Sequence, residues 1–204
     1  MKSAALFPRS FSSALDSKGG LTLTTEEAIA ALKAARDGFS FSLGAYALLT
    51  KEPVRAKLRG YEIKVYEDGD FVVSEDSLAG RRGSSYTIGF NSALSRSAAR
   101  GVVDNSLMRM IIDSNHAIRA YAKANNLDVS QCSAVQFIRL YRNAIAHNGR
   151  WDLRCPEDLP LTWRNRTVTI AMNNQSIEGF LTWFEGLQLC AQLNILVSEH
   201  ANQI

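Results

Sequence analysis

Residues 128–149 read DVSQCSAVQFIRLYRNAIAHNG and carry the clearest helical pattern in the chain. Apolar side chains recur there at intervals of three and four residues, which places them on one helix face: Ala134, Phe137, Ile138, Tyr141 and Ile145. Asp128 and Gln131 have the spacing of a capping box at the start, and Gly149 is expected to close the helix as a C-cap. The stretch therefore predicts an amphipathic helix packed into a helical core.

The preceding part of the chain predicts two shorter helices that are separated at a glycine. Thr24 and Glu27 have capping-box spacing, and the strong helix formers after them are expected to form a helix that stops at Gly38. A second helix is expected over Ser40–Thr50, because the chain then reaches Pro53 and helical backbone is disfavoured before a proline.

Two longer helices are predicted on either side of residues 128–149. The first runs from about Asn91 to Asn125, either continuous or broken near Gly101, and has this apolar row: Val103, Leu107, Met110, Ile111, Ile118 and Tyr121. The second begins at Ser176 and has a wide apolar band: Ile177, Phe180, Leu181, Phe184, Leu187, Ala191 and Ile195. A band of that width predicts deep burial, or burial against a second subunit.

Two short segments alternate apolar and polar residues, which is the period of a β-strand. Residues 61–65 alternate in this way before an Asp-Gly turn at 68–69, and residues 167–170 do so near the middle of the second half. Each segment predicts a β-hairpin.

The expected fold is mainly α: an antiparallel bundle of four to five helices with two short β-hairpin insertions, near residues 61–73 and 161–171. Residues 1–20 are rich in Ser, Ala and Gly and are expected to form a flexible N-terminal arm. Residues 21–204 are expected to form a single helical domain.

The composition fits a globular protein and argues against several functional classes. Of the 204 residues, 46% are hydrophobic and 21% are charged, so whole-chain disorder is not expected. A net charge of +3 is not that of a broad electrostatic nucleic-acid binder. The cysteines match no zinc spacing and, being three, no disulfide framework: Cys132, Cys155 and Cys190. No apolar run has the length of a membrane span, so a cytoplasmic protein without a membrane partner is expected. No cofactor and no metal ion are expected either.

One segment carries the residue types of acid–base chemistry: Arg142-Asn143-Ala144-Ile145-Ala146-His147. Asn143 and His147 are four residues apart and share a helix face, so Asn143 could hydrogen-bond the imidazole and fix its tautomer. Arg142 lies off this direction, but its long side chain can reach the same space and its planar cation matches phosphate oxygens. The pair suits RNA cleavage in which the ribose 2′-OH attacks the adjacent phosphate without a metal.

A structural interpretation of the same residues stays open. Arg142 would then bind carbonyl or carboxylate groups, and His147 would cap the helix C-terminus. Since one histidine does not easily serve as both base and acid, the catalytic interpretation favours two copies of the segment across a two-fold interface. Other enzyme classes lack support, because the chain has neither a Gly-rich phosphate loop nor a Gly-x-Ser-x-Gly elbow.

The segment resembles the Arg-polar-x-x-x-His signature of the HEPN superfamily, the small helical domains of prokaryotic defence and toxin systems and of eukaryotic RNA-processing proteins. The resemblance implies a metal-independent endoribonuclease of toxin–antitoxin or abortive-infection type, acting as a homodimer whose two motifs line one cleft. It implies Arg142 and His147 as catalytic residues, Asn143 as their polar support, and an antitoxin or regulatory protein as partner. The alternative is a non-catalytic HEPN-like module for RNA or nucleotide binding or for dimerisation.

Three residues after the motif are candidates for RNA contact. Asn148 and Arg150 would lie near the mouth of the cleft, where Arg150 could bind a phosphate. Trp151 could stack on a base, although packing in the core or at an interface is the simpler account of a tryptophan there. His116 is a candidate second imidazole, with a surface role as the alternative.

Overall fold

The computed structural model describes residues 23–66, 71–74, 85–89 and 95–202. Five α-helices make up most of this part of the chain: α1 (Thr25–Leu49), α2 (Glu52–Leu58), α3 (Arg96–Ala124), α4 (Ser133–Ala146) and α5 (Trp183–Ala201). Its strands are short: β1 (Glu62–Tyr66), β2 (Phe71–Ser74), β3 (Ser85–Gly89), β4 (Leu161–Trp163) and β5 (Arg166–Val168). The expected mainly α fold is confirmed, while the arm expected over residues 1–20 lies outside the described residues.

The bundle is organised around α3, which packs against α1, α4 and α5. α1 runs antiparallel to α3. The hydroxyls of Thr25, at the start of α1, and Tyr121, near the end of α3, lie 3.3 Å apart. At the other end the hydroxyls of Ser42 and Ser106 lie 3.1 Å apart. α4 returns along α3 after the connection 125–132, as short links between neighbouring bundle helices require.

The last helix, α5, runs parallel to α3 and therefore antiparallel to α1. At its start, Trp183 Nε1 donates to Asp104 Oδ1 at 2.7 Å. Near its end, His200 Nδ1 lies 2.8 Å from the Tyr121 hydroxyl. The four long helices thus alternate in direction along the chain, which confirms the expected antiparallel bundle.

The apolar rows predicted for α3 and α4 face the core between these helices. Every residue of the predicted α3 row is buried, and so is the predicted α4 stripe except for Ile145, which is half-buried. α3 continues unbroken through Gly101, so of the two alternatives the continuous helix is the one that forms. Burial of the nearby Val103, at about 1.5–3 kcal/mol, outweighs the cost of a helical glycine, about 1 kcal/mol.

α1 is one helix and not the expected two. The Thr24 hydroxyl accepts from the Glu27 N–H at 3.2 Å and the Glu27 carboxylate accepts from the Thr24 N–H at 2.9 Å, so the predicted capping box is confirmed. Gly38 lies inside the helix and does not stop it. The adjacent Phe39 is fully buried, and burying such a side chain, at about 1.5–3 kcal/mol, outweighs the cost of the glycine.

The start of α4 differs from the expectation. α4 begins at Ser133 with Cys132 as its N-cap residue. Asp128 instead forms a turn, in which Oδ1 accepts from the Ser130 N–H at 2.8 Å. The capping box expected from Asp128 and Gln131 is therefore wrong, because an aspartate satisfies a nearby backbone donor in a turn as readily as at a helix start.

The last helix starts later than the expected Ser176. Thr182 is its N-cap and forms a capping box with Glu185. The residues before it form turns, yet the apolar side chains of Ile177 and Leu181 are buried in the core. These side chains belong to a loop that packs under the helix, and this is why they extend the apparent helical pattern.

The late start changes which face of α5 is buried. The buried residues are Glu185, Gly186, Leu189, Cys190, Leu193 and Val197. The expected stripe is wrong at three positions, because Phe184 and Ile195 are 67% and 55% exposed and Ala191 is exposed as well. These three residues form an apolar strip on the outer face of α5.

The strand pairing of both expected hairpins is present, while the Asp-Gly turn expected at 68–69 lies outside the described residues. β1 and β2 pair antiparallel with Ile63 opposite Val73, and β3 pairs with the other edge of β1, with Ile63 opposite Ile88. The first hairpin is thus part of a three-stranded sheet of order β2-β1-β3. β4 and β5 form the second, with Leu161 opposite Val168, and β4 packs against α4.

Gly186 lies where α5 approaches α3 closely, since a Cβ atom at this position would overlap the Leu107 side chain. A Cβ atom at Gly44, inside α1, would meet nothing within 4 Å. We expect Gly186→Ala to lower the free energy of unfolding by about 1 kcal/mol or more. Gly44→Ala should raise it by about 0.5–1 kcal/mol, because alanine favours helix where space allows. Urea unfolding of both variants measures the difference, and equal gains would contradict the close approach.

Candidate active site

The Arg-Asn-x-x-x-His segment lies at the C-terminal end of α4, and left-handed backbone ends the helix directly after it. His147 is the C-cap residue, and the Gly149 N–H donates to the Ala144 carbonyl at 3.0 Å, as in a Schellman motif. Asn148 takes the left-handed position after the cap at φ 57°, and Gly149 follows at φ 71°. The expected C-cap glycine is thus one residue further out, and the chain turns back beside α4.

A cleft of about 310 Å³ lies between α4 and the loop that follows it. On the α4 wall, Arg139, Asn143 and His147 recur every four residues and so share one helix face. The opposite wall consists of loop residues: Asp152, Leu153, Arg154, Cys155, Asp158 and Leu159. The cleft therefore brings together two of the predicted site residues, Asn143 and His147.

The His147 imidazole is held by a carboxylate from the loop. His147 Nε2 lies 3.0 Å from Asp152 Oδ2, and Asp152 Oδ1 accepts from Arg154 Nε at 2.9 Å. The His147 side chain is 48% exposed, whereas that of Asp152 is 23% exposed. A carboxylate oxygen at this distance favours a hydrogen on Nε2 of the neutral ring and leaves Nδ1 for another partner. The site thus pairs an exposed imidazole with a carboxylate.

Asn143 has a different partner from the one expected. Its Oδ1 accepts from Arg142 NH1 at 3.4 Å, so it supports the arginine and not the imidazole. Arg142 is half-buried and is not among the residues that line the cleft. Five residues on a helix separate Arg142 from His147 by about 140°, which explains why the two side chains leave α4 in different directions.

Arg142 lies on the side of α4 that faces α3. Partial burial lowers the pKa of His116, and the positive charge of Arg142 lowers the same pKa further. Asp113 opposes this effect, while Arg109 and Arg119 add to it. His116, the candidate second imidazole, lies on the exposed side of α3 within electrostatic range of Arg142. It does not line the cleft.

A second ion pair crosses the cleft further from the helix end. Arg139 NH2 donates to Asp158 Oδ2 at 2.6 Å. Arg139 Nε is buried and has no hydrogen-bond partner among the described residues. The cleft thus holds two arginines and two aspartates, and its charges largely cancel in the free protein.

The three candidate RNA contacts after the motif have different surroundings. Asn148 is exposed at the helix end. Arg150 is also exposed, but its NH1 donates to the Asn174 carbonyl at 2.8 Å. Trp151 is only 1% exposed and packs edge-on against Tyr141 and Phe180, so its ring is not available to stack on a base. The packing interpretation of Trp151 is the one that the structure supports.

The loop side of the cleft was not among the predicted site residues. Arg139 was within reach of helical reasoning, since it precedes Asn143 and His147 by four and eight residues on the same face. Asp152, Arg154 and Asp158 lie in a loop, where no periodicity indicates which side chains turn toward the helix. The only available signal was their density of charge directly after the motif.

The described residues also bear on metal binding, on the cysteines and on membrane spans. The described residues hold no cluster of three or more His, Cys, Asp or Glu placed to bind a metal ion. Among the free thiols, Cys155 is exposed and lines the cleft, and burial raises the pKa of Cys190. Across the described helices, no stretch combines the length and the hydropathy that a membrane span needs.

Comparison with models of protein families, with curated proteins and with solved structures gives no match to this chain.

Proposed function

We propose that the chain is a metal-independent endoribonuclease of the HEPN-like type that serves in toxin–antitoxin or phage-defence systems. The observation that carries the proposal is the His147 imidazole, which lies in an open cleft beside Asn143 with the Asp152 carboxylate 3.0 Å from its Nε2. A fixed imidazole with solvent access is what proton transfer requires.

The proposed reaction uses the free nitrogen of His147. Nδ1 takes the proton of a ribose 2′-OH, whose oxygen then attacks the adjacent phosphorus. The bond from phosphorus to the 5′-oxygen breaks, and that oxygen takes a proton from a protonated imidazole. The products are a 2′,3′-cyclic phosphate and a 5′-OH end. Arg142 would stabilise the negative charge that develops on the phosphate oxygens.

A homodimer is the second part of the proposal. One His147 does not easily supply both a base and an acid in a single turnover, whereas two copies would. The apolar strip on α5 supports association, because Phe184 and Ile195 are large apolar side chains that one chain leaves exposed. Arg142 leaves α4 about 140° around the helix from His147 of its own chain, so a second copy could bring an arginine to that histidine.

The experiment uses the full chain and a structured RNA in buffer that contains EDTA. The expected result is cleavage that yields 2′,3′-cyclic phosphate and 5′-OH ends, identified by end-specific labelling and mass spectrometry. Size-exclusion chromatography with light scattering determines the oligomeric state of the same sample. Absence of cleavage across a range of RNAs, or products with 3′-OH ends, would contradict the proposed function.

A second candidate is a non-catalytic module for RNA or nucleotide binding or for dimerisation. It is favoured by the ion pairs of the cleft, which leave few unpaired charges for catalysis. Binding of RNA that weakens with salt, without product and without an effect of His147→Ala, would support this candidate. A stable dimer that binds no RNA would indicate a purely structural module.

Asp152→Asn is expected to change the tautomer of His147. Because an amide can either donate or accept, the variant loses the carboxylate that keeps the hydrogen on Nε2. We expect a single Nε2–H form in the wild type at high pH and a mixture in Asp152→Asn. Long-range ¹H–¹⁵N NMR of the ring distinguishes the two forms, and an unchanged tautomer would contradict the positioning role of Asp152. RNA cleavage should fall in parallel.

A further inference from the structure

The cleft next to His147 has the size of a small-ligand site. Its volume of about 310 Å³ lies at the lower end of the range for such sites, about 300–1,000 Å³. Its lining combines charged side chains with the apolar surfaces of Leu140, Leu153 and Leu159. That combination suits a molecule with one charged end and one flat or apolar end.

Two guanidinium groups provide hydrogen-bond donors in this cleft, one from each wall. Arg154 uses Nε to bind Asp152, and its side chain is 73% exposed, so its terminal nitrogens face solvent. Arg139 uses NH2 to bind Asp158, and because its unpartnered Nε is buried, the donors left for a ligand are those of its terminal nitrogens. Since a guanidinium has five N–H donors, each arginine keeps donors beyond those used by its aspartate. The aspartates hold both arginines in place.

We propose that the cleft binds one nucleotide of an RNA chain through its phosphate, with Arg139 and Arg154 as the phosphate ligands. This inference rests on the proposed function, because it places the bound nucleotide next to His147. Asp152 and Asp158 act as counterions of the two arginines in the free protein, and the incoming phosphate shares the arginines with them. The apolar lining then contacts the sugar and base.

Phosphate is the chemical group that this arrangement fits best. The planar fork of arginine binds phosphate oxygens in pairs, and such charge-assisted hydrogen bonds are about twice as strong as neutral ones. Two arginines against two aspartates leave no excess of charge for a run of phosphates. Binding should therefore involve about one phosphate, and the affinity should fall only gently with salt, with a log–log slope of about −0.7.

The test measures binding of nucleoside 3′-monophosphates to the full chain by calorimetry and by NMR shifts of cleft residues, with inorganic phosphate as comparison. We expect the nucleotides to bind more tightly than phosphate alone. Arg154→Ala should weaken binding about tenfold, the effect of losing a hydrogen bond to a charged group. Asp158→Asn should strengthen binding, because it removes a competing carboxylate from Arg139. Arg36→Ala is the matched control, since Arg36 lies on α1 and its ion pair among the described residues is with Asp37.

The opposite signs of the two cleft variants separate a binding role from a folding role. A folding defect would weaken binding in both variants, and urea unfolding of each identifies it. Equal binding by wild type and Arg154→Ala would overturn the inference, as would tighter binding of phosphate than of nucleotides. Nucleotide binding with this pattern but without RNA cleavage would keep the site and refute the nuclease. RNA cleavage by the wild type together with unaltered nucleotide binding in Arg154→Ala would keep the nuclease and refute the phosphate site.

Discussion

Replacing His147 with alanine is expected to slow RNA cleavage by about 10²–10⁴-fold, which is the contribution of one positioned general acid or base. The reason lies in the geometry of the imidazole. Asp152 Oδ2 lies 3.0 Å from Nε2, so we assign the proposed base to Nδ1. The single-turnover cleavage rate of a labelled RNA, measured in EDTA for wild type and variant, gives the ratio directly.

The fold should survive this substitution. The ion pair with Asp152 is about half exposed on the histidine side, and such pairs contribute at most about 1 kcal/mol to the free energy of unfolding. The backbone N–H of His147, which bonds to the Asn143 carbonyl at 3.0 Å, remains in place. Loss of cleavage with an unchanged unfolding curve therefore points to chemistry.

His147→Gln separates the loss of the titratable ring from the loss of a hydrogen-bond donor. Glutamine can still donate a hydrogen bond toward Asp152, but its amide does not take up a proton near neutral pH. We expect it to cleave RNA as slowly as the alanine variant. Cleavage at the wild-type rate by either variant would remove His147 from the proposed mechanism, and the activity would then have to be assigned to another group.

The helical bundle was predictable because its central helices have simple patterns. In α3 and α4 one row of apolar residues faces one core, so spacing alone identified the buried positions. The continuity of the helices through Gly38 and Gly101 was not predictable from local propensity. A glycine costs about 1 kcal/mol in a helix, and tertiary packing of the adjacent turns exceeds that amount at both places.

α5 shows how a wrong start changes a whole face. Ile177 and Leu181 belong to a loop, but their spacing continues the helical pattern toward Ser176. Counting from there puts Phe184 and Ile195 in the core, whereas the structure exposes them. Thr182 and Glu185 have capping-box spacing in the sequence, and that signal marks the true start of the helix.

In the candidate site, the helix side was predictable from the sequence and the loop side was not. Asn143 and His147 were placed correctly on one face, because helical geometry fixes their relation. The partner of the imidazole was not, since the expected Asn143 bonds to Arg142 and the actual partner is Asp152. A loop residue reaches the ring only because the left-handed backbone at Asn148 and Gly149 turns the chain back along α4.

Glu185→Gln is expected to lower the free energy of unfolding by about 3 kcal/mol at pH 7. Glu185 accepts two hydrogen bonds from Arg166, at 2.7 and 2.9 Å, and two more from the backbone and hydroxyl of Thr182, both at 2.8 Å. Its side chain is only 10% exposed. The neutral amide leaves the Arg166 cation on the β4–β5 hairpin without its counter-charge, which is why the loss is large.

Urea unfolding of Glu185→Gln and Glu199→Gln compares a buried with an exposed glutamate on the same helix. The Glu199 variant should change the free energy of unfolding by no more than about 0.5 kcal/mol. Equal effects of the two substitutions would show that the Arg166 pair does not hold the hairpin to α5.

The same pair predicts how stability depends on pH. The hydrogen bonds from Arg166, followed by those from Thr182, outweigh burial and lower the pKa of Glu185 from 4.5 to about 2. The unfolded chain therefore binds the proton at higher pH than the folded chain does, and protonation favours unfolding. The contribution of Glu185 is complete above about pH 4.5 and disappears as the pH falls to about 2, a loss of about 3 kcal/mol. Between these pH values the stability of Glu185→Gln should fall less than that of wild type, and parallel curves would contradict the lowered pKa.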